Sequence, residues 1–506
     1  MNPVIVIPTY WCETDRTHRL GERGVYDYST PIAKPLPELE ICLDSLENVR
    51  GVIRIIVLVA TETGLEDSAR ARVNSICRSH PNLNIVVIGE KEAAYVQRAV
   101  GRMIPAAMGN VVSLHGYGAI KNMGLAVAAI LEHDAVVFLD DDEVVSDADF
   151  LINAVYGLGA LTRQGLQIVA KSGYFIDENG SPYAKPSNEW TERYWSKAND
   201  FNSVMAKAQS AKRVTRSNHM CGGCCALHAA AYTKIPFDPY ITRGEDLDYM
   251  LNLRANGLDV WFDNKWYVRL KKPEDMSSPS SLFMQDTYRW YYEYRKLEVI
   301  NSRRDLRTIT QESLMPYPGP WLFPEVRKRV FQTALRRMVA GPDRAAYLGI
   351  LTRGRQKADK FAKDASTRYL SFAMTWPTVA VSLWGDRTLS NAILRTGEVS
   401  VPISAAMAMR QSKIDQAAAD AEAAEISGEL AEVEGASPED TPDDAVAMDV
   451  SAYFDGESTN DAVDFEPASN SAEVEPATPA DASSVELPAP PVDPDDTDPN
   501  PSSISV

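Results

Sequence analysis

The first 150 residues alternate between short apolar runs and amphipathic segments, and this alternation restricts the fold more than any other feature. Four β-branched, apolar runs predict strands, at residues 3–10, 52–60, 84–90 and 134–140. Three intervening segments with helical spacing predict helices, at residues 36–49, 65–80 and 119–133. Strand–helix–strand units of this length form right-handed crossovers, so the sequence predicts an α/β protein with a doubly wound, mostly parallel sheet.

The fourth predicted strand runs directly into four carboxylates, in the stretch VVFLDDDEVV. Ligands of such sheets bind beyond the carboxyl ends of the strands. At strand spacing, Asp140 and Asp142 project to one side, and Asp141 and Glu143 project to the other. Two converging carboxylates suit Mg²⁺ or Mn²⁺, which leave coordination positions for phosphate oxygens. The alternative is a solvated loop that caps the next helix, but the position after a buried strand favours a metal site.

A second acidic pair, Glu245 and Asp246, precedes the apolar residues of a predicted amphipathic helix in RGEDLDYMLNLRANG. Acidic residues at a helix start are stabilised by the helix dipole and by unpaired N–H groups, which is a structural explanation. The same position holds a carboxylate rigidly, where it can take a proton from a hydroxyl group. This acidic pair alone does not decide between the structural and the catalytic explanation.

Together these motifs resemble glycosyltransferase family 2. VIVIPTY, KNMGL, FLDDDEVV, CGGCCALH and RGEDLDYMLNLRANG occur in the order and approximate spacing of that family, over roughly residues 1–275. The resemblance implies the GT-A fold, a nucleotide-binding α/β sheet merged with an acceptor-binding half. It implies an enzyme that transfers a sugar from a nucleoside-diphosphate sugar to an acceptor hydroxyl, with inversion and an Asp base. A retaining GT-A transferase and a non-catalytic carbohydrate- or nucleotide-binding protein are the alternatives.

The resemblance also assigns donor-binding residues. Pro8, Thr9 and Tyr10 resemble the first-strand turn that contacts the base and ribose of the nucleotide sugar. Lys121 and Asn122 resemble the Arg-Asn pair of the family near the diphosphate.

The resemblance places the metal and the sugar as well. Asp140 and Asp142 match the outer members of the Asp-x-Asp motif, which binds Mn²⁺ or Mg²⁺ and the donor diphosphate, and Asp141 between them is counted with the donor-binding residues. Gly222 and Gly223 match the Gly-Gly pair whose backbone approaches the sugar and the acceptor.

The Glu-Asp pair of the family corresponds to Glu245 and Asp246, and its aspartate usually serves as the base of inverting members. Asp246 is therefore the predicted base, with Glu245 as the second candidate. A nucleotidyltransferase, the main rival among enzymes, would show a Gly-rich phosphate loop with a basic residue after the first strand, and IPTYWCETD contains none.

The chain departs from the family pattern in several places. VLVATETG stands where an acidic pair usually holds the nucleotide, so Thr61 or Glu62 is the candidate substitute. The histidine often found after the Glu-Asp helix is missing, and Lys271 or Lys272 is the candidate phosphate ligand instead. The long stretch 91–118 has no role that the sequence reveals, and QDTYRW at 285–290 is one residue longer than the Gln-x-x-Arg-Trp motif of processive synthases.

Two local patterns suggest further structure. A zinc site is one interpretation of His219, Cys221, Cys224 and His228. Structural zinc sites commonly use two separated ligand pairs, so buried thiols are the preferred explanation. Residues 166–186 resemble a β-hairpin joined through Asn-Gly, since that dipeptide suits a tight turn.

The net charge of −19 is unevenly distributed. Residues 411–506 contain 25 acidic residues and one basic residue, whereas the preceding 410 residues carry a net charge of +5. We predict a GT-A domain over residues 1–275, a basic, mainly helical region over 276–410, and an acidic tail over 411–506. Rich in Ala, Pro and Ser, this tail is predicted to be disordered after about residue 430 because it cannot bury enough apolar surface.

The sequence predicts a cytoplasmic protein, since its few cysteines read as reduced thiols and its opening run is too short for an export signal. Residues 369–385 are too short for a span and predict a buried or interfacial helix. The basic, aromatic helices from 285 to 370 are also typical of nucleic-acid surfaces, but we favour a helical cap and expect no nucleic-acid partner. Their basic face is compatible with peripheral contact with anionic lipid, and the acceptor class (glycan, lipid-linked or protein) stays open.

Overall fold

The computed structural model describes residues 1–13, 26, 29–271 and 278–400. Lys272 and the predicted acidic tail over 411–506 lie outside these residues. The described chain forms eleven strands: β1 Pro3–Cys12, β2 Thr30–Pro31, β3 Ile55–Thr61, β4 Ile85–Ile88, β5 Ala135–Phe138, β6 Glu143–Val144, β7 Ala170–Ile176, β8 Val214–Ser217, β9 Cys225–His228, β10 Val260–Leu270 and β11 Glu398–Ser400.

Fourteen α-helices accompany these strands in the same residues: α1 Glu38–Leu46, α2 Glu66–Arg78, α3 Glu90–Val100, α4 Tyr117–Ile130, α5 Phe150–Val155, α6 Ala198–Ser210, α7 Ala229–Tyr232, α8 Glu245–Ala255, α9 Pro279–Asn301, α10 Glu325–Ala340, α11 Arg344–Gly349, α12 Arg355–Ala365, α13 Arg368–Leu383 and α14 Arg387–Gly397. A π-helical turn, Ile350–Gly354, joins α11 to α12. Short 3₁₀ turns include Trp190–Glu192 and Gly319–Trp321.

The strands form one mixed sheet in the order β11-β4-β3-β1-β5-β9-β7-β10-β6, with β2 beside β1 and β8 beside β10. Strands β4, β3, β1 and β5 are parallel, so their carboxyl ends meet at one edge. Alternate residues of β1 enter two core clusters: Val4 and Val6 pack in one, Ile5 and Ile7 in the other. Both faces of the sheet are therefore covered, and the predicted α/β class is confirmed.

The second half of the sheet is antiparallel where β9 inserts between β5 and β7. The predicted Asn-Gly turn forms: Gly180 has φ +78°, and its N–H donates to the Asp177 carbonyl at 2.9 Å. The strand predicted after it is wrong, because residues 181–186 contain no strand. Both edges of β7 are already paired, with β9 on one side and β10 on the other.

The helices after residue 278 pack back onto the sheet, as the predicted helical region requires. In α13, the Tyr369 hydroxyl donates to the Pro236 carbonyl at 3.1 Å, and Trp376 Nε1 donates to the Tyr232 carbonyl at 2.7 Å. The chain then returns to the sheet, where β11 pairs antiparallel with β4. Residues 369–385 thus include a packed helix. Among the residues described here, none of the helices has the length and hydropathy of a membrane span.

Candidate functional site

A cleft of about 1010 Å³ opens at the carboxyl ends of β1 and β5. The end of β1, the turn after β5, the start of α4, residues 219–223 and the start of α8 form its walls. Parallel α/β sheets bind their ligands at this edge. Eleven of the thirteen predicted site residues line the cleft: Pro8, Thr9, Tyr10, Lys121, Asp140, Asp141, Asp142, Gly222, Gly223, Glu245 and Asp246.

The acidic stretch after β5 forms a tight turn instead of continuing the strand. The Glu143 N–H donates to the Asp140 carbonyl at 3.1 Å, and the Asp140 N–H donates to the Glu143 carboxylate at 3.1 Å. The predicted alternation of side chains is therefore wrong, and all four carboxylates line the cleft. Burial and the neighbouring carboxylates raise the pKa of Asp141 to about 7 and hold the pKa of Asp142 and Glu143 well above the usual range.

Lys121, from α4, places a buried ammonium group beside this turn. Its Nζ lies 3.3 Å from Asp140 Oδ1, donates to the Gly222 carbonyl at 3.0 Å, and sits 4.5 Å from the centre of the Phe138 ring. Burial by itself lowers the pKa of Lys121, but the charges of Asp140 and Glu245 more than offset this and raise it. The group is therefore charged at neutral pH and can bind a phosphate oxygen.

Residues 219–223, which precede β9, approach the acidic turn at residues 140–143 closely. A Cβ atom on Gly223 would lie 2.1 Å from Glu143 Oε2, so a side chain at this position would displace the turn. A Cβ atom on Gly222 would meet Asp246 Cβ at an ordinary 3.4 Å. The double glycine thus lets the backbone pass between the acidic turn and the start of α8.

Helix α8 begins at the cleft with a left-handed residue. Gly244 has φ +72°, a conformation that favours glycine, and the next two residues, Glu245 and Asp246, both line the cleft. Burial and the Asp246 charge raise the pKa of Glu245 to about 7. Asp246 is only half-buried, and its Oδ1 accepts a hydrogen bond from the Leu247 N–H at 2.6 Å. Asp246 is therefore the more open of the two carboxylates.

Arg289 and His219 complete the cleft near α8. Arg289 Nε donates to Glu293 at 3.1 Å, and a Cβ atom on Gly244 would lie 1.9 Å from the Arg289 Cζ. Burial lowers the pKa of His219, against the opposing effect of the Asp246 charge, so its ring is neutral at pH 7. The α8 end of the cleft thus offers a fixed positive charge and a neutral imidazole beside Asp246.

A buried charge network behind the cleft connects α8 to α9. Lys296 Nζ donates to both carboxylate oxygens of Asp248, at 2.7 and 2.8 Å, and to Asp238 at 2.6 Å. The Tyr292 hydroxyl also donates to Asp238, at 2.7 Å. Because Asp248 and Asp246 belong to the same helix, the network fixes the element that presents Asp246 to the cleft.

Two predicted residues, Thr61 and Asn122, do not line the cleft. Thr61 is buried at the end of β3, in register with Trp11. Asn122 is fully buried, and its side chain is used inside the protein. Its Nδ2 donates to the carbonyls of Val111 and Phe237, both at 3.0 Å, and its Oδ1 accepts from the Phe237 N–H at 2.8 Å.

The same hydrogen bonds give residues 91–118 a structural role. The segment contains most of α3 and a loop whose Val111, Val112 and Leu114 are buried in the core cluster beneath α4. The loop also accepts hydrogen bonds from the Tyr26 hydroxyl, at Leu114, and from the Tyr240 hydroxyl, at Met108. It therefore supports the floor of the cleft.

Comparison with known proteins identifies the family. The model of a family described as "Glycosyltransferase like family 2" matches residues 37–293, about half of the 506-residue chain. The chain belongs to glycosyltransferase family 2. The resemblance deduced from the motifs is thus confirmed, and so is the enzyme class that it implies. The mixed, mostly parallel sheet has the α/β architecture that the resemblance predicts.

Solved structures of glycosyltransferases are similar to this family 2 enzyme at low identity. The mannosyltransferase PcManGT from Pyrobaculum calidifontis, in complex with GDP-Man and Mn²⁺, is 13% identical, with 74% of this chain and 87% of that chain covered and a TM-score of 0.37. The glucosyl-3-phosphoglycerate synthase from Mycobacterium tuberculosis, in complex with Mn²⁺ and UDP-glucose, is 15% identical, covering 54% of this chain and 73% of that chain at a TM-score of 0.28. No curated protein matches the sequence significantly.

The sequence patterns missed part of the cleft of this glycosyltransferase. The lining residues without a predicted donor, metal or catalytic role include five that carry charge or an imidazole: Glu38, Glu143, His219, Arg243 and Arg289. Arg289 carries a signal, since it is the arginine of QDTYRW, and Glu143 ends the acidic run. Arg243 opens the stretch RGEDLDYMLNLRANG, and His219 belongs to the His/Cys pattern considered for zinc, whereas no local pattern marks Glu38.

Proposed function

We propose that this enzyme transfers a sugar from a nucleoside-diphosphate sugar to an acceptor hydroxyl, with a divalent metal and with inversion at the anomeric carbon. One observation carries the proposal: two acidic groups share one cleft, the 140–143 turn after β5 and the start of α8. Lys121 connects them, since it contacts Asp140 and the Gly222 carbonyl, and the charges of Asp140 and Glu245 both raise its pKa.

The acidic turn fits a divalent cation. Asp140 and Asp142 offer carboxylate oxygens, the hard ligands that Mg²⁺ and Mn²⁺ prefer. In the described part of the chain no three His, Cys, Asp or Glu side chains are grouped to hold a metal ion. We propose that the two carboxylates share the cation with donor phosphate oxygens, because Mg²⁺ and Mn²⁺ keep open positions for such oxygens. When bound, the cation would neutralise charge on the departing nucleoside diphosphate.

Residues of the chain supply the remaining roles. Pro8, Thr9 and Tyr10 lie at the end of the cleft that we assign to the nucleoside. Lys121 binds the diphosphate through its fixed ammonium group. Lys271 is a further phosphate ligand in this proposal, because it is exposed and its N–H donates to the Asp142 carbonyl at 2.8 Å.

Asp246 is the proposed base. As the acceptor hydroxyl attacks the anomeric carbon, the Asp246 carboxylate takes its proton, which contributes a factor of roughly 10²–10⁴ to the rate. Asp246 is preferred to Glu245 because its carboxylate is more open to the cleft, whereas Glu245 is buried. In this proposal the backbone of Gly222 and Gly223 lies beside the sugar, close to the Asp246 carboxylate.

The decisive test is donor turnover. The full chain is incubated with UDP-, GDP- and TDP-sugars and with Mn²⁺, Mg²⁺ or EDTA, and released nucleoside diphosphate is assayed. Metal-dependent release from one donor, lost in Asp142→Asn and Asp246→Asn and retained in the exposed control Asp305→Asn, is the expected result. Once a product forms, NMR of its anomeric configuration separates inversion from retention. Failure of every donor to bind by calorimetry would overturn the proposal.

We also propose a cytoplasmic enzyme whose basic helical region contacts a membrane. All six cysteines are free, buried thiols, as in proteins of a reducing compartment. The acceptor hydroxyl belongs to a glycan, a lipid-linked molecule or a protein.

A further inference from the structure

We infer that α10, α11 and the start of α12 form a docking surface for a bilayer that contains anionic lipid. The inference specifies the membrane contact proposed above, but its test has no catalytic readout. The membrane inference can therefore be rejected without rejecting the proposed reaction, and the reverse also holds.

Helix α10 is apolar on two faces, and the core uses only one of them. Val326, Val330 and Ala334 are fully buried. On the adjacent face, Phe331, Leu335 and Val339 follow at intervals of four residues and are 42%, 40% and 57% exposed. Leu348 of α11, a helix that packs against α10, is also 52% exposed.

Positive charge surrounds the stripe in unusual excess. Residues 325–363 contain eleven basic and three acidic residues, a net charge of +8. Arg327 and Lys363 pair with Asp359, and Arg337 pairs with Glu192. Within the described residues, the other eight basic side chains form no salt bridge. Five of these eight are exposed and therefore open to an external anion: Lys328, Arg344, Arg353, Lys357 and Lys360.

Cations and apolar groups alternate on this surface over short distances. The Arg355 guanidinium lies 5.1 Å from the centre of the exposed Phe331 ring. On the opposite flank of α10, the Arg336 guanidinium lies 5.9 Å from the ring of Trp190, which is 56% exposed. A bilayer interface accepts both kinds of group, because apolar side chains enter the acyl boundary while Lys and Arg meet anionic headgroups.

A nucleic acid fits the surface less well. Phosphates would satisfy the basic side chains, and bases could stack on Phe331 and Trp190. Leu335, Val339 and Leu348 would stay exposed, because they have neither hydrogen-bonding groups nor rings. An acidic protein segment would likewise meet the charge and leave the aliphatic stripe exposed. The observations therefore favour anionic lipid.

The surface lies close to the cleft. Arg289, which lines the cleft, stacks on Trp290 at 4.6 Å, and Trp290 contacts Trp321 at 5.7 Å between ring centres. Arg329 of α10 lies 4.8 Å from the centre of the Trp321 ring. Two indole rings thus separate a cleft residue from the helix that we assign to the bilayer, so docking would hold the cleft near the headgroups.

The first experiment is sedimentation of the full chain with vesicles. Vesicles of phosphatidylglycerol and phosphatidylcholine are compared with pure phosphatidylcholine, at low and high salt. We expect binding to the anionic vesicles alone, weakened by salt. Absence of binding by the full chain, or equal binding to both vesicle types, would overturn the inference.

Variants then locate the contact. Leu335→Ser/Val339→Ser removes two exposed side chains and should weaken vesicle binding about tenfold. The matched control is Met374→Ser/Val381→Ser on α13, whose side chains are 68% and 70% exposed, and it should bind as wild type. An equal loss in both variants, or no loss in the first, would contradict the assignment to α10.

A charge-reversal pair tests the electrostatic part. Arg353→Glu/Lys357→Glu changes two exposed residues of the proposed surface and should abolish binding, whereas Lys91→Glu/Arg98→Glu on α3 should preserve it. Duplex DNA and single-stranded DNA are titrated in parallel at the same salt. Tighter binding to either nucleic acid than to the anionic vesicles would reject lipid as the partner.

Discussion

Lys296 donates hydrogen bonds to both carboxylate oxygens of Asp248, at 2.7 and 2.8 Å, and both side chains are buried. The bond joins α9 to α8 two residues beyond Asp246, the proposed base. Lys296 also binds Asp238 and lies 3.6 Å from the centre of the Tyr369 ring in α13. The helical region therefore fixes the position of a residue in the cleft.

Replacing Lys296 with methionine should strongly destabilise the protein. The variant leaves Asp248 and Asp238 buried without a cation, and breaking a buried pair in this way costs about 3–5 kcal/mol. The free energy of unfolding, measured with urea, reports the loss. The control is Arg303→Met, which breaks a surface pair with Asp305 and should cost far less stability, because exposed ion pairs contribute little. Similar losses in the two variants would show that the buried network contributes no special stability.

A methyl group at Gly244 should disturb the cleft more than the same change elsewhere. Gly244→Ala and Gly51→Ala both place alanine at a left-handed φ, +72° and +79°, which costs about 1–2 kcal/mol. Only the Cβ at position 244 meets another group, Arg289 Cζ at 1.9 Å, while nothing lies within 4 Å of the Cβ at position 51.

We therefore expect Gly244→Ala to lower both stability and donor turnover, and Gly51→Ala to lower stability alone. Thermal unfolding and nucleoside-diphosphate release measure the two effects. Equal turnover in the two variants would mean that the position of Arg289 has no influence on the reaction.

The central strands were predictable because burial on both faces requires continuous apolar runs. Every residue of β3 and β4 is buried. The turn after β5 was not predictable, because strand spacing assumes that the chain continues straight. Glu143 instead pairs with Leu270 of β10, a partner from a distant part of the sequence. This long-range pairing brings all four acidic residues to one cleft.

The site residues also show that local sequence patterns do not reveal long-range contacts. Asp140, Asp142 and Asp246 were recognised from motifs and line the cleft. Asn122 was recognised in the same way, yet its amide binds the backbone at Val111 and Phe237. A motif specifies the residue type and the local spacing, but the carbonyl groups that surround a side chain depend on segments far away in the sequence.

His133 should make stability depend on pH in the acidic range. Burial, reinforced by the charge of Arg54, lowers the pKa of His133 to about 4, compared with about 6.5 in the unfolded chain. Its contribution to stability is therefore complete above pH 6.5 and is lost as the pH falls from 6.5 to 4, by about 3 kcal/mol. We expect His133→Gln to flatten the pH dependence of the unfolding free energy in this window. Parallel curves for wild type and variant would contradict the assignment.

Asp142→Asn should stabilise the metal-free protein while it inactivates the enzyme. Burial and the charges of Asp140 and Asp141 disfavour the ionised Asp142 carboxylate, so removing its charge should raise Tm in EDTA. Adding Mn²⁺ should raise Tm of the wild type by mass action and have little effect on the variant. Turnover should fall by roughly 10²-fold or more, because the cation provides several kcal/mol of charge stabilisation.

The control is Asp305→Asn, an exposed carboxylate paired with Arg303, which should leave the Mn²⁺ response unchanged. Differential scanning fluorimetry with EDTA and with Mn²⁺ gives both comparisons. If Asp142→Asn instead lowers Tm in EDTA and keeps the full Mn²⁺ response, residue 142 is not a metal ligand. The acidic turn would then have a structural role, since the Glu143 carboxylate accepts the Asp140 N–H.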